Sequence, residues 1–183
     1  EQMLQDLGAA SDLRYVILRY FNVAGSDPEG RIGQSTPGAT LLMKVAAEQA
    51  VGKREALYIF GTDYPTPDGT GVRDYIHVED LADAHLKAIN YLRAGGEPQV
   101  LNCGYGHGYS VREVLSAVES ANEAPLNILE EARRAGDPPE LIAVANRVRD
   151  VLGWEPRFDD LDTIVKTSLA WERKIAAEDP SAY

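Results

Sequence analysis

Short β-branched runs and stripes of apolar residues with helical spacing alternate along the chain. Residues 14–23 are rich in Val, Ile, Leu and aromatic side chains, and they predict a strand buried on both faces of a parallel sheet. Residues 57–60 and 100–103 predict shorter strands, and residues 126–129 are a further candidate. Strands that alternate with helices indicate an α/β protein.

Helical stripes fill most of the intervals between these strands. Residues 1–7 read as helix with no capping residue before them, as if the chain began inside an element. Ser110 and Glu113 form a predicted capping box that opens a helix. On the helix predicted over 78–92, His85 and Ile89 belong to the expected buried face. Helices are also predicted over residues 39–51, 146–152 and 161–175, with a frayed tail after Ala176.

Composition narrows the class of protein. The chain has 183 residues, 44% hydrophobic and 26% charged, as expected of a soluble globular protein, and it contains no apolar run long enough to span a membrane. The single cysteine, Cys103, excludes an internal disulfide, fits a reducing cytoplasm and is expected to be a buried core residue. A net charge of −11 argues against nucleic acid and anionic membranes as partners.

The turn-rich segment 61–83 carries the most distinctive local chemistry. It contains Arg73, whose guanidinium is a planar, always charged fork that suits two phosphate oxygens. Gly69 and Gly71 are predicted to let the backbone approach a ligand. The alternative is a surface arginine paired with Asp68 or Asp74. Spacing alone leaves both possibilities open.

Two other segments are weaker candidates. Residues 133–137 place Arg134 and Asp137 where they could meet phosphate and ribose hydroxyls, with a solvated charged loop as the alternative. Residues 104–108 have the spacing G-x-G-x-G rather than G-x-G-x-x-G, and they predict a tight turn near the ligand instead of a dinucleotide site. Asp80, Asp83 and His85 do not share one helical face well, so we reject a metal site there.

The chain lacks a recognisable catalytic pair. None of its nine tyrosines is followed by a lysine four residues later. In short-chain dehydrogenases such a lysine lowers the pKa of the tyrosine, so that the phenolate can take a proton from the substrate. A glycine-rich loop for NAD is also missing upstream.

Several motifs together resemble one family. Segments 18–25, 31–34, 58–61, 110–113 and 152–154, together with the highly specific stretch 61–83, are similar to UDP-glucose (UDP-galactose) 4-epimerases, which are extended short-chain dehydrogenases. The resemblance covers essentially the whole chain. It implies the C-terminal part of such an enzyme: the late strands of a Rossmann-type parallel sheet plus a small α/β substrate domain. Residues 1–34 and 76–107 would belong to the dinucleotide-binding domain, and residues 35–75 and 108–183 to the substrate domain.

The resemblance also assigns substrate contacts to particular positions. Arg73 and Arg134 would grip the diphosphate, Asp137 would bind the ribose, and Tyr58 and Phe60 would flank the uracil. The complete set of implied substrate contacts is Asn22, Thr40, Leu41, Leu42, Tyr58, Phe60, Arg73, Arg134, Asp137 and Leu141.

The resemblance also implies a contact with the cofactor, and at two positions this chain has a residue that matters for the substrate. Tyr20 would lie beside the nicotinamide, and Asn22 would contact the diphosphate. Family members commonly have a polar residue where this chain has Leu41, which puts that contact in doubt. Leu141 matches a gatekeeper position at which small residues admit N-acetylated sugars and tyrosine excludes them. An intermediate leucine favours glucose and galactose.

The implied function is the UDP-sugar-binding half of an NAD-dependent 4-epimerase. NAD would be bound mainly by sequence that this chain lacks, and the Tyr-x-x-x-Lys pair would lie just upstream of Glu1, so the isolated chain is expected to be inactive. The full-length protein is expected to be a cytoplasmic homodimer. Alternatives are a fragment of another nucleotide-sugar epimerase, dehydratase or decarboxylase, or a non-catalytic binding module. With most of its sheet missing, the chain is expected to expose apolar strand edges and to aggregate or fold poorly.

Overall fold

The computed structural model describes residues 1–178. In chain order its elements are α1 (Gln2–Ala10), β1 (Val16–Tyr20), β2 (Asn22–Ala24), α2 (Leu42–Ala50), β3 (Leu57–Phe60), β4 (Val72–Arg73), β5 (Tyr75–His77), α3 (Val78–Arg93), β6 (Gln99–Cys103), β7 (Tyr109–Ser110), α4 (Val111–Asn122), β8 (Ile128–Glu131), β9 (Glu140–Leu141), α5 (Asn146–Leu152) and α6 (Leu161–Glu178). Helix α6 continues past Ala176, so fraying does not begin there, and positions 179–183 lie outside the described residues.

The run predicted as one strand, residues 14–23, forms two strands. β1 pairs in parallel with β6, with Tyr20 opposite Cys103, whereas β2 pairs in parallel with β5. The change of partner falls at Phe21. Arg19 and Tyr20 are exposed and the rest of β1 is half-buried, so the prediction of burial on both faces is wrong. The physical reason is that, within residues 1–178, helix α3 packs against β1 but leaves the side chains at the carboxyl end of the strand uncovered.

The remaining strands form two further sheets. β3 pairs in parallel with β8, and β4 lies between β7, which is antiparallel to it, and β9, which is parallel. Only Asp74 separates β4 from β5, yet these strands belong to different sheets. The chain therefore passes from one sheet to another directly after Arg73. The domain boundaries near residues 34, 75 and 107 stay predictions.

Helices α2, α4 and α6 pack against one another and form much of the core. On α4 the stripe Val114, Leu115 and Val118, which has helical spacing, is buried. The capping box is confirmed: Ser110 Oγ accepts from the Glu113 backbone, and the Glu113 carboxylate accepts from the Ser110 backbone. This cap fixes the start of α4 beside β4.

Helix α3 buries a narrower stripe than predicted. Leu81, Ala84 and Ala88 are buried, but His85 and Ile89 are exposed. The helix packs against β1, β2, β5 and α5, which cover only one side of the predicted face. The expected burial of His85 and Ile89 is therefore wrong. No helix within residues 1–178 has the length and apolar character needed to cross a membrane.

Asp80, in the first turn of α3, holds a distant loop. Its carboxylate is fully buried and accepts hydrogen bonds from the Tyr105 hydroxyl at 2.7 Å and from the backbone N–H groups of Arg157 and Phe158, each at 2.9 Å. The Asp80 carbonyl accepts from the Trp154 indole at 2.9 Å. These bonds satisfy the carboxylate within the fold and attach the segment before α6 to α3.

Candidate functional site

A cavity of about 560 Å³ lies where β3, β4, the start of β2, the segment before α2 and the loop after β8 meet. Its volume is within the range of small-molecule sites, about 300–1,000 Å³. The wall includes every predicted substrate contact except Leu141. This convergence is a geometric finding, and contact with a substrate stays a prediction. The lining residues are Asn22, Gly38, Ala39, Thr40, Leu41, Leu42, Val45, Arg54, Tyr58, Ile59, Phe60, Tyr64, Gly71, Arg73, Tyr75, Val111, Arg134 and Asp137.

Strand β3 provides the aromatic side of the cavity. Leu57 and Ile59 are buried in the core, whereas Tyr58 is exposed and Phe60 is half-buried. This alternation follows from the two-residue period of a strand. The Tyr58 and Phe60 rings lie 6.3 Å apart between centroids. Together they form an apolar surface that suits a planar ring.

Arg73 faces the cavity from β4 without a carboxylate partner. Its Nη1 donates to the Val72 carbonyl at 2.8 Å, and no carboxylate within residues 1–178 forms an ion pair with it. Asp68 instead accepts from Ser110 and Thr70, and Asp74 accepts from backbone N–H groups. The alternative of an arginine paired with Asp68 or Asp74 is therefore wrong.

The two glycines before Arg73 have different roles. A Cβ atom at Gly71 would lie 3.2 Å from Arg73 Nη1, so the guanidinium packs against a residue that lacks a side chain. Gly69 has a φ of +80°, and a Cβ atom there would lie 2.1 Å from the Thr62 carbonyl oxygen. Gly69 thus serves the turn itself. It does not line the cavity, and its predicted role in ligand approach is corrected.

The adjacent arginines after β8 differ in their partners. Arg133 donates to Asp63 Oδ1 at 2.6 Å and lies 4.4 Å from the centre of the Tyr64 ring, so its charge is engaged by the fold. Its hydrogen bond lowers the pKa of Asp63. Arg134 lies 3.7 Å above the Phe60 ring, and no carboxylate within the described part of the chain pairs with it. Of the two, Arg134 is the cation available to a ligand.

The segment before α2 forms the opposite wall. Helix α2 begins at Leu42, later than predicted, because Leu41 is extended with φ −66° and ψ 131°. Thr40 and Leu41 are consequently exposed at the cavity. Asn22 enters from β2, where its backbone N–H donates to the Asp74 carbonyl at 3.0 Å. Asp137 completes the polar part of the wall.

Two predicted residues do not line the cavity. Leu141, 45% exposed, lies opposite Arg73 in the pairing of β4 with β9, one position away from the wall. Tyr20, 51% exposed, lies at the carboxyl end of β1, with its ring 6.2 Å from that of His85. Their roles toward sugar and nicotinamide stay predictions.

Sequence reasoning missed several wall residues. Tyr75 is 2% exposed, and burial raises the pKa of its hydroxyl. It follows Arg73 by two positions, and this spacing could have pointed to it. Tyr64 is 7% exposed, and its hydroxyl has no hydrogen-bond partner within residues 1–178. Arg54 carried no local signal, because it lies in a charged turn before β3. Val45 and Val111 belong to helices, and helical spacing does not distinguish a core residue from one in a cavity wall.

The remaining motifs belong to the fold. Cys103 is fully buried and burial raises its pKa to about 12, which confirms a core residue. The glycine turn 104–108 is not in the cavity wall. Its Tyr105 and Gly106 N–H groups donate to Asp74, so the turn lies one layer behind the site, and its nearness to a ligand stays a prediction.

The parallel strand pairs with helices packed on them define an α/β protein of the Rossmann type, as the sequence predicted. The NAD dependent epimerase/dehydratase family matches residues 1–104, more than half of the chain. The chain belongs to this family.

Individual relatives agree with the resemblance stated from the sequence. UDP-glucose 4-epimerase from Azospirillum brasilense is 58% identical over 177 residues, covering 96% of this chain and 50% of the relative. The structure of UDP-glucose-4-epimerase from Stenotrophomonas maltophila with bound NAD and formylated UDP-arabinopyranose has a TM-score of 0.92 at 38% identity, over 97% of this chain and 53% of that one. UDP-glucose 4-epimerase from Bifidobacterium longum in complex with NAD+ and UDP has a TM-score of 0.88 at 38% identity, over 100% and 53%. The chain spans about half the length of these relatives.

Proposed function

We propose that the cavity binds the UDP part of a UDP-sugar and that the chain is the substrate-binding half of a UDP-glucose/UDP-galactose 4-epimerase. One observation carries the proposal: Arg73 and Arg134, which pair with no carboxylate within residues 1–178, share a cavity with the aromatic surface of Tyr58 and Phe60. A pyrimidine diphosphate has the matching pair of features, a flat ring and two adjacent phosphates. Relatives crystallised with UDP and with a UDP-sugar support this choice of ligand.

The diphosphate is assigned to Arg73 and Arg134. A guanidinium donates two parallel hydrogen bonds to phosphate oxygens, and these bonds are stronger where the donor is not already neutralised by a carboxylate. Asn22 adds a neutral amide on the same wall, and Asp137 provides an acceptor for ribose hydroxyls. The uracil is assigned to the surface of Tyr58 and Phe60, opposite the apolar side chains of Leu41 and Leu42.

The sugar is assigned to the edge of the cavity near Arg73. Leu141 lies opposite Arg73 in the β4–β9 pairing, so a sugar attached to a phosphate held by Arg73 would extend toward it. A leucine here leaves room for glucose and galactose and limits larger substituents. The choice between these hexoses and UDP-pentoses is part of the experiment below.

The contact with NAD that we propose for this chain lies at the end of strand β1. Tyr20 is an exposed aromatic side chain at the carboxyl end of a parallel strand, the edge at which such folds bind cofactors. When bound, NAD supplies hydride removal and return at C4 of the sugar. This chain's residues bind the UDP part, which is remote from the reacting carbon. The sugar itself is therefore free to rotate between the two hydride transfers. The tyrosine–lysine pair and most of the NAD site are assigned to sequence outside this chain.

A segment-swap chimera tests the proposal. In it, this chain replaces its matching segment of the Azospirillum brasilense enzyme, so that the missing half comes from a relative. We expect conversion of UDP-galactose to UDP-glucose with NAD bound, and loss of UDP binding in calorimetry when Arg73 or Arg134 becomes Gln. The matched control is Arg147→Gln, which also removes an arginine that bonds a backbone carbonyl but lies outside the cavity.

Two results would contradict parts of the proposal. A folded chimera that binds no UDP removes the nucleotide-sugar assignment. Strong UDP binding by the 183-residue chain alone, with no epimerase activity in the chimera, favours the non-catalytic binding module. Profiling UDP-hexoses against UDP-pentoses with the active chimera identifies the preferred sugar.

A further inference from the structure

Arg54 is a cation of the cavity wall to which the proposed function gives no role. It lies in the turn between α2 and β3, and its side chain is 33% exposed. Nε donates to Glu48 Oε2 at 2.5 Å, and Nη2 donates to the Ala39 carbonyl at 3.0 Å. One guanidinium therefore connects a buried carboxylate to the backbone of the cavity wall.

Glu48 belongs to a buried group of charges between α2 and α6. Its side chain, 4% exposed, lies 3.5 Å from Lys44 Nζ and 3.9 Å from Lys53 Nζ. Lys44, 5% exposed, also contacts Glu172 of α6 at 2.5 Å, and Glu172 is 1% exposed. Acids and bases alternate through this group, so each buried charge has an opposite neighbour and the arrangement is held in one geometry.

The same group holds residues 34–41, which we call the strap. The strap has no helix or strand of its own and contributes Gly38, Ala39, Thr40 and Leu41 to the cavity. Its first carbonyl, that of Gln34, accepts from Lys44 Nζ and from the Trp171 indole, each at 3.0 Å. The Ala39 carbonyl accepts from Arg54, and the Leu41 carbonyl accepts from the Val45 N–H at 3.0 Å.

We propose that Arg54 is a positioning residue that fixes the strap, and with it the Thr40 and Leu41 wall, for the nucleotide. The inference rests on the proposed function of the cavity. Helix α2 has no side-chain hydrogen bond at its N-terminal cap, and its own bonds to the strap reach Gln34 and Leu41, so Arg54 is the side chain that holds the middle of the strap at Ala39. Charge-assisted bonds to a carbonyl are strong where water is partly excluded. Pre-ordering a wall removes the entropy that a ligand would otherwise lose in ordering it.

Replacing Arg54 should leave the fold intact. Without it, Glu48 Oε2 loses its hydrogen bond from Arg54, which lowers stability, but Lys44 and Lys53 stay within 4 Å of Oε1, so the buried carboxylate keeps opposite charges beside it. Replacing Lys44 instead would remove the closest cation of Glu172 and a cation that lies 3.5 Å from Glu48. Arg54 is therefore the position at which strap order and global stability can be separated.

The test compares Arg54→Ala, Arg54→Lys and the control Arg147→Ala. In the chimera, we expect limited proteolysis within the strap to be about tenfold faster for Arg54→Ala, while cleavage elsewhere is unchanged. In the chimera, we expect KM for UDP-galactose to rise about tenfold with kcat changed less than about twofold. Arg54→Lys keeps the charge and should recover part of both effects.

The outcomes separate this inference from the proposed function. If the wild-type chimera does not bind UDP, the proposed function is wrong. This inference, which rests on the proposed function, is then wrong as well. If UDP binds but Arg54→Ala leaves proteolysis of the strap or KM unchanged, only the role of Arg54 is wrong. A fall of kcat at constant KM would also overturn it, because a wall residue acts on binding rather than on the chemical step.

Discussion

Replacing Asp74 by Asn tests whether one buried carboxylate sets the position of Arg73. Asp74 is fully buried. Its Oδ1 accepts from the Tyr105 N–H at 3.0 Å, and its Oδ2 accepts from the N–H groups of Gly106 at 3.0 Å and Ala143 at 3.2 Å. One side chain thus joins the turn after β6 to the segment after β9, directly behind the cavity.

The magnitude follows from the number of acceptors. An asparagine oxygen placed at Oδ2 can still accept from Gly106 and Ala143, but its NH₂ group then meets the Tyr105 N–H, and two donors face each other. A lost hydrogen bond to a charged group contributes about 1.5–3 kcal/mol, and a buried N–H without a partner costs about 1–3 kcal/mol. Because both figures describe the same lost bond, we expect a loss of about 3 kcal/mol in the free energy of unfolding.

The assay is urea unfolding of the chain, followed by tryptophan fluorescence at a protein concentration where it is monomeric. Asp150→Asn, an exposed position on α5, is the matched control and should change the free energy by less than about 0.5 kcal/mol. We also expect weaker UDP binding by Asp74→Asn under conditions where it remains folded. A loss of stability below about 1 kcal/mol would show that the three N–H groups find other partners and that Asp74 does not organise the site.

Three further predictions can be checked with the same material. Arg73→Gln in the chimera should weaken UDP binding about 10- to 100-fold in calorimetry and flatten its salt dependence, and an effect no larger than that of Arg147→Gln would contradict the assignment. Burial lowers the pKa of His77 below 6.5, so the folded state binds fewer protons and loses stability as pH falls below 6.5. Urea unfolding at pH 7 and 5.5 should show a smaller loss for His77→Asn. Leu86, 61% exposed, should promote association, and light scattering should detect less of it in Leu86→Glu. A sharp thermal transition of unmodified monomer would count against that last expectation.

How much of the fold could be predicted depended on whether the signal was local. The cap of α4 needs only Ser110 and Glu113, three positions apart, and the outward side chains of β3 need only a two-residue period. The break of the first strand at Phe21 was invisible, because it arises when two distant strands pair with successive halves of one apolar run. The exposure of His85 was missed for a related reason: periodicity finds a helix face that can be buried, and not whether a neighbour covers it.

The candidate site divides in the same way. Arg73 was found because its own segment is distinctive, and Asn22, Phe60 and Arg134 were brought to it only by resemblance, since no spacing rule joins four distant segments. Arg54 and Asp74 were missed because their partners, the Ala39 carbonyl and the N–H groups of Tyr105 and Ala143, are backbone atoms. Backbone donors and acceptors are present at nearly every position, so a sequence gives no indication of which ones a charged side chain will meet.

The net charge of −11 is compatible with the proposed anionic ligand, because acidic side chains near the cavity are bonded to other groups of the fold. Three arginines and one aspartate line the cavity, and with Arg54 paired to Glu48 the remaining Arg73 and Arg134 still leave a local excess of positive charge over Asp137. Asp74 and Glu48 are turned away from it, toward backbone N–H groups and buried cations. The potential at a partly enclosed site is set by nearby charges more than by distant, screened ones. An acidic chain can therefore hold a diphosphate wherever its fold keeps guanidinium groups free of carboxylates, as it does at Arg73 and Arg134.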